Sequence, residues 1–470
     1  MTKFKAQMNI KQYNHVYLIG AGGISVSAIA KLLLHHGVSV SGFDLAKSDI
    51  TDELSDLGAM ISIADTHAEI PMGVDLLVYS EAVPENDALR KQAVARDITQ
   101  IKAAGFWGKF SANKKVIAIS GTNGKSTTTA MIGLILENAG YDPTVVVGTR
   151  VLAWDSNIRI GKSDWLVIEA DEYAAKMLAY KPQVAVITNI SADHLDYYKD
   201  LDDIIQHFQK WLNAMPQHGT VVLNKDDVAS KKLVAPKQTI RLFALKGSSD
   251  VRAAGMTETS NQSGWVGNLN FNIVDTDKDW GYVKMNVPGM HAIANAVAAA
   301  VAADSVGVPH KKIIKALSNF SGTWRRFEMV GEYHGALVVS DYAHHPDGIR
   351  ATLAAARGWY PFHRIIVLFQ PHHHNRTKNL FNEFAASFGR ADEVIISEIY
   401  DVSGREDVGD QDVSSKDLVA AIKKFGVAPV SYASDVAQAE AMLKEKIKPE
   451  DVVIIMGAGD VDRVARNLIK

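Results

Sequence analysis

Lys125 follows Gly121-Thr122-Asn123-Gly124 and precedes Ser126 and Thr127, a spacing suited to binding a nucleotide phosphate. A glycine turn lets backbone N–H groups approach an anion, and the lysine adds a mobile positive charge. A hydroxyl directly after it can reach a divalent cation. Upstream, Val116 to Ile119 reads as a buried strand, and the apolar residues after Thr127 recur at helical spacing. The first glycine of the usual phosphate-loop pattern is replaced here by Ile119, so the match is to a shorter variant.

A second glycine turn lies near the start. His15 to Ile19 reads as a strand, Gly20, Gly22, Gly23 and Ser25 form the turn, and a helical stretch closes on Gly37. A further strand, Val38 to Phe43, ends at Asp44, and another, Asp75 to Ser80, ends at Ser80. Strand, glycine turn, helix, strand and acidic residue suit the diphosphate and ribose of a nucleotide. Ser25 stands where the dinucleotide fingerprint has its third glycine, which argues against a nicotinamide cofactor. The glycine and aromatic residues of segment 105–113 are expected to form a hinge into a second domain.

Two more buried-strand patterns end in polar residues, at 164–172 (DWLVIEADE) and 184–196 (VAVITNISADHLD). Glu169 and His194 at those ends are expected to face the outermost phosphate. A carboxylate and an imidazole there suit a metal bound largely through phosphate oxygens and water. His291 and Asn295, four residues apart on an alanine-rich helix, are placed to meet a base or ribose. Of Arg325 and Arg326, one is placed to reach a phosphate. A third set of strands and helices follows, with DYAHHPD at 341–347 and QPHHHNRT at 370–377 on two strand ends. Clustered histidines without a thiolate or a third spaced ligand do not make a metal site. Asp341, His344, His345 and Arg376 are instead expected to line a substrate cleft.

Length and composition bound the rest. At 470 residues, 47% hydrophobic and 22% charged, the chain reads as a soluble globular protein of roughly three α/β domains. The expected borders are 1–110, 111–325 and 326–470: a Rossmann-like domain, a phosphate-loop ATPase domain, and a second Rossmann-like α/β domain. A net charge of −3 without long basic runs gives no nucleic-acid or membrane-surface signature. The absence of cysteine excludes disulfides and thiolate metal sites. With no signal-peptide core and no long apolar run, the expected location is the cytoplasm, as a monomer or homodimer.

Taken in order, GTNGKSTTTAM, EADE, TNISADHLD, the HxxxN helix, RRFE, SDYAHHPD, FQPHxxxRT and a final GAG resemble the Mur ligases of peptidoglycan synthesis, in particular their alanine-adding branch. The resemblance spans essentially the whole chain. It implies three domains: a uridine-diphosphate binder, an ATPase, and a C-terminal domain that closes over both. It implies ATP and Mg²⁺ as cofactors, and UDP-N-acetylmuramate and an amino acid, L-alanine, as substrates. Carried over, Gly20, Gly22, Gly23, Ser25, Asp44 and Ser80 hold the UDP-sugar. Gly121 to Thr127 hold ATP phosphates, with Ser126, Glu169 and His194 serving two Mg²⁺ sites. His291 and Asn295 lie near adenine or ribose, and Arg326 and Asp341 contribute from the C-terminal domain. His344 and Arg376 lie near the amino acid or the acyl phosphate. The chain departs from the branch at Asn123 (usually His), Ser126 (Thr), Ala292 (Asn) and His373 (Arg). Other branches carry a carbamylated lysine; Lys210 is the nearby lysine here, and the alanine-adding branch lacks that group.

The implied chemistry is amide formation. A free carboxylate is a poor electrophile, so ATP converts it to an acyl phosphate that a neutral amine attacks, with an imidazole such as His344 accepting the proton. A nicotinamide oxidoreductase leaves GTNGKST unexplained, and a phosphate-loop kinase leaves the N-terminal nucleotide turn unexplained. A non-catalytic ATP-binding protein has no need of Lys125, Glu169 and His194 together. A sister ligase attaching a recycled peptide is the nearest alternative, and the QPH…RT segment speaks for the alanine enzyme.

Overall fold

The computed structural model describes residues 8–64, 68–194, 197–259, 265–276, 278–401, 412–426 and 428–470. Three sheets organise the chain, each made of aliphatic and β-branched runs alternating with helices. The contacts gather into two compact units: 1–253 with 273–281 and 294–316, and 254–272 with 282–293 and 317–470. The last two residues of the 184–196 run lie outside the described residues.

The first unit holds one sheet whole and most of a second. Strands β1 (His15–Ile19), β2 (Ser39–Asp44), β3 (Met60–Ile63), β4 (Leu76–Tyr79) and β5 (Thr99–Lys102) form a parallel sheet in the order β3-β2-β1-β4-β5. Chain order reverses beside β1, the switch point at which open α/β sheets form a crevice, and the first glycine turn leaves β1 there. Segment 105–113, expected to form a hinge loop, is mostly helical. It lies largely within the helix Ala103–Ser111, whose Phe106 and Trp107 are fully buried. Gly108 allows that helix to pack closely, since a Cβ there would stand 2.8 Å from the Ala179 carbonyl oxygen.

The second sheet has β6 (Lys115–Ser120) inside it, flanked in parallel by β9 (Trp165–Glu169) and β10 (Val184–Ile187). Burial on both faces explains its continuous apolar run. Beyond β9 come β7 (Thr144–Val151) and β8 (Ser156–Arg159), the latter antiparallel. Beyond β10 come β11 (Thr220–Asn224) and β12 (Thr239–Ala244). The polar 246–280 stretch, expected to be a β-excursion, contains β13 (Val251–Thr259), β14 (Asn268–Asp275) and the start of β15 (Asp279–Met285), neighbours in that order.

The third sheet lies in the second unit. It comprises β16 (Glu328–Tyr333), β17 (Ala336–Asp341), β18 (Ile365–Phe369), β19 (Glu393–Ile396), β20 (Val430–Tyr432) and β21 (Val452–Met456), ordered β16-β17-β21-β18-β19-β20. All are parallel except β16, and apolar clusters cover both faces. Among the described residues no helix is long and apolar enough to cross a membrane.

Candidate active site

The phosphate loop joins β6 to the helix Lys125–Ala139. Gly124 caps that helix at φ +85° with no side-chain hydrogen bond, so its first N–H groups remain available to an anion. Two other helices of the same unit, starting at Asp49 and Leu201, are instead closed by the side chains of Ser48 and Asp200. The segment after β10 pins the loop. Thr122 N donates to Asn189 O at 2.9 Å, Asn123 N to Asn189 Oδ1 at 3.1 Å, and Thr188 Oγ1 to Asn123 O at 2.6 Å. Glycine is required at both ends: a Cβ on Gly121 would collide with Thr188 Oγ1, and one on Gly124 with Asn295 Oδ1.

Lys125 folds back onto this cradle. Its Nζ donates to Gly121 O at 2.8 Å, to Thr122 O at 3.2 Å and to Glu172 Oε1 at 3.0 Å, with Glu172 Oε2 at 2.7 Å. Burial pulls the ammonium's pKa down, but Glu172, Asp171 and Glu169 outweigh it and hold the value above that of a free lysine. Asp171 is in turn paired with Lys176 at 2.8 Å. Burial raises its pKa, yet Lys125 and Lys176 prevail and hold it below the usual carboxylate value.

Glu169 differs from its two neighbours. Its Oε2 accepts from Gly148 N at 2.6 Å, and Ser126 also hydrogen-bonds to the carboxylate. Burial raises its pKa despite Lys125 nearby, the state of a carboxylate lacking a full countercharge. A hydroxyl and an incompletely compensated carboxylate fit Mg²⁺, which keeps waters and phosphate oxygens as its other ligands. Among the described residues no three His, Cys, Asp or Glu side chains form a ready cage. His194 sits at φ +54° with Nε2 3.6 Å from Glu172 Oε1 and its ring 4.7 Å from that of Tyr173. Burial lowers its pKa, but Glu172 and Asp193 outweigh that and hold the value above that of a free imidazole. His194 thus gathers on Glu172. Thr127 is half-buried beside the loop, and Lys210 is exposed at the end of the helix Leu201–Asn213.

The first glycine turn is equally built. Gly20 N donates to Phe43 O at 2.9 Å, and Gly22 N donates to Asp44 Oδ2 at 2.8 Å. Gly20 adopts φ +78°, and a Cβ there would come within 3.0 Å of Ser80 Cβ. Gly23 caps the helix Ile24–His35, again without a side-chain hydrogen bond, and Ser25 lies in its first turn. Gly20, Gly22, Gly23, Ser25, Asp44 and Ser80 therefore converge at the ends of β1, β2 and β4.

In the second unit the strand ends gather Asp341, His344, His372 and Arg376. Asp341 is buried and accepts from Phe327 N and Ala343 N, both at 2.7 Å. Arg325 is also buried, its guanidinium donating to the Gly457 and Gly459 carbonyls. The exposed Arg326 lies 5.0 Å over the Tyr342 ring, so it is the arginine left to meet a ligand. His344 Nδ1 stands 2.8 Å from Tyr342 O. A carbonyl can only accept, so Nδ1 carries the proton and Nε2 keeps its lone pair. Burial, then Arg376, drives the His344 pKa well below 6.5. Arg376 Nη1 lies 3.4 Å from His372 Nδ1, and the His344 and His372 rings are 6.0 Å apart. His345 caps the helix Pro346–Trp359, its Nδ1 accepting from Asp347 N at 3.3 Å. His291 is exposed against Gly289.

Sequence reasoning missed Glu172, the partner of Lys125, and Asp401, which pairs with His374 at 2.5 Å and His373 at 3.4 Å. Glu172 stands three residues beyond Glu169, and nothing in the string EADE marks which carboxylate meets the lysine. Asp401 lies on a different strand end from the histidines and carried no signal.

A parallel α/β sheet whose inner strand ends in a lysine-bearing glycine loop, beside acidic strand ends, defines a nucleotide-phosphate-binding enzyme. Family comparisons cover nearly the whole chain. The Mur ligase family catalytic domain matches residues 15–115, the Mur ligase middle domain 119–303, and the Mur ligase glutamate ligase domain 325–459. The chain belongs to the Mur ligase family. A UDP-N-acetylmuramate–L-alanine ligase of Caldanaerobacter subterraneus subsp. tengcongensis is 38% identical over 99% of both chains. One from Salinibacter ruber is 36% identical over 100% of this chain and 97% of its own. Among solved structures, UDP-N-acetylmuramate-alanine ligase from Thermotoga maritima superposes with TM-score 0.82 at 25% identity, covering 97% of this chain and 98% of that one. The three-domain α/β fold is thereby established.

Proposed function

We infer that this protein is an ATP-dependent ligase that joins L-alanine to the lactyl carboxylate of UDP-N-acetylmuramate, in peptidoglycan precursor synthesis. The observation that carries the reading is the full-length likeness to ligases of that name, on a chain that retains the Lys125 loop and the Ser126–Glu169 pair. Residues 1–110 are proposed to hold the UDP-sugar, 111–325 ATP, and 326–470 the amino acid, in the cytoplasm.

In this reading Lys125 exchanges its own loop carbonyls and Glu172 for the β- and γ-phosphates. Mg²⁺ held by Ser126 and Glu169, with His194 beside them, would neutralise phosphate charge. The lactyl carboxylate oxygen attacks the γ-phosphorus and ADP leaves, giving an acyl phosphate. The neutral amine then attacks the acyl carbon, inorganic phosphate departs, and the amine proton passes to His344 Nε2, the nitrogen left free by the contact of Nδ1 with the Tyr342 carbonyl. Arg376 is assigned to the amino acid or the acyl phosphate, and Arg326 with Asp341 to ATP. His291 and Asn295 are assigned to the nucleoside end of ATP, and His345 to the substrate cleft through its remaining nitrogen.

Phosphate release from ATP, measured with UDP-N-acetylmuramate and each of L-alanine, glycine, L-serine and a murein tripeptide, tests this. Release that needs both the UDP-sugar and L-alanine supports the reading. Release only with the tripeptide transfers the protein to the recycling branch.

A further inference from the structure

The two glycine turns each open a helix, Ile24–His35 and Lys125–Ala139, and one hairpin grips both. That hairpin is β7 with β8. On the phosphate-loop side, Trp154 Nε1 donates to Glu137 Oε2 at 2.7 Å, and Arg159 pairs with Glu137 Oε1 at 2.8 Å. Gly133 of the same helix sits so close that a Cβ would stand 2.7 Å from the Trp154 ring. Further along the hairpin, Gly148 N holds Glu169 Oε2 at 2.6 Å.

On the other side lies a buried polar knot. Asn157 is 3% exposed and its amide is almost fully used: Nδ2 donates to Ile24 O at 2.7 Å and to Ser27 Oγ at 3.1 Å, while Oδ1 accepts from Lys31 Nζ at 3.1 Å. Lys31 is itself buried, and also reaches Ser156 Oγ at 3.3 Å and Glu53 Oε1 at 2.7 Å. A buried lysine and a buried amide are costly to place unless each partner is held in register, so this contact admits little sliding. It engages the first turn of the helix Ile24–His35, at Ile24 and Ser27, beside Gly23 and Ser25 of the turn assigned to the UDP-sugar.

We propose that Asn157 is a positioning residue: through the β7–β8 hairpin it fixes the helix of the first glycine turn at a set distance from the phosphate-loop helix and Glu169. The inference rests on the functional reading above, because the lactyl carboxylate held from one turn must meet the γ-phosphate held by the other. Asn157 is not among the residues assigned to either nucleotide, and its bonds go to Ile24, Ser27 and Lys31. Loosening it leaves each half-site intact but misplaces the reacting atoms, and misplacement near 1 Å costs turnover of the order of 10²-fold.

The test compares wild type with Asn157→Ala. Dissociation constants for UDP-N-acetylmuramate and for ADP are measured by calorimetry, and turnover is expressed per ADP-binding site, which removes any unfolded fraction. The expected result is both constants within about threefold of wild type and turnover per site lower by about tenfold or more. Should Asn157→Ala not fold, Lys31→Met, which keeps the aliphatic stem and removes the bonds to Asn157, Ser156 and Glu53, is read by the same criteria. Wild-type turnover per site in the variant overturns the proposal, as does weakened binding of one nucleotide that accounts for the whole loss. Absence of L-alanine-dependent turnover in the wild type overturns the functional reading itself, a result separable from failure of the variant alone.

Discussion

Glu172→Gln isolates the contact that holds Lys125 in place. The ammonium and carboxylate are 2.7 Å apart with side chains 14% and 4% exposed, and at an effective dielectric of 20 their attraction is about 6 kcal/mol. Desolvation of both groups offsets most of that, and removing one partner of a buried pair costs about 3–5 kcal/mol. Glutamine keeps the shape and an acceptor for Nζ, and Asp171 and Glu169 still face the ammonium, so the expected loss is about 2 kcal/mol. Lys125→Ala orphans the Glu172 carboxylate and is expected to lose about 3 kcal/mol and all measurable turnover. The double variant removes both charges and should lose about 2 kcal/mol less than the sum of the two. Urea unfolding of the four proteins, without nucleotide, measures the cycle. Strict additivity would refute the claim that this pair carries the buried charge of the loop.

Other predictions follow from particular contacts. Gly124→Ala forces alanine into φ +85° and against Asn295 Oδ1, so ADP affinity, read by calorimetry, should fall at least about tenfold. Ala174 and Ala175, which follow Tyr173, both sit at positive φ. There Ala174→Gly relieves about 1–2 kcal/mol of strain, loses under 1 kcal/mol through the unfolded chain, and should stabilise by about 0.5–1 kcal/mol in urea titration. His372 is pushed down to about 3, first by burial and then by His373 and Arg376. The unfolded chain takes up its proton near pH 6.5 and the folded chain does not. Stability contributed by neutral His372 is therefore complete above pH 6.5 and declines as pH falls from 6.5 toward 3, by about 1 kcal/mol per unit after allowance for its partial exposure. His372→Gln should flatten that slope.

Strands and glycine turns were legible because they are local: β6 announces itself by a continuous β-branched run, and Gly124-Lys125-Ser126 by spacing. Pairing after a strand end is not local. Glu169, Asp171 and Glu172 lie within four residues, and only the folded chain shows that the first meets Gly148 N, the second Lys176 and the third Lys125. Arg325 and Arg326 are adjacent, and only the fold shows that one is buried on the Gly457 and Gly459 carbonyls while the other is exposed. Two glycines made 105–113 look like a hinge. There Gly108 serves close packing against Ala179, and tertiary burial of Phe106 and Trp107 overrides weak helix propensity.

The acyl-phosphate route is tested most directly by ¹⁸O in the lactyl carboxylate of UDP-N-acetylmuramate, followed by ³¹P spectroscopy of the products formed with ATP and L-alanine. The account predicts one labelled oxygen in the released inorganic phosphate. Amide formed with label in AMP, or with no label in any phosphate, would contradict it.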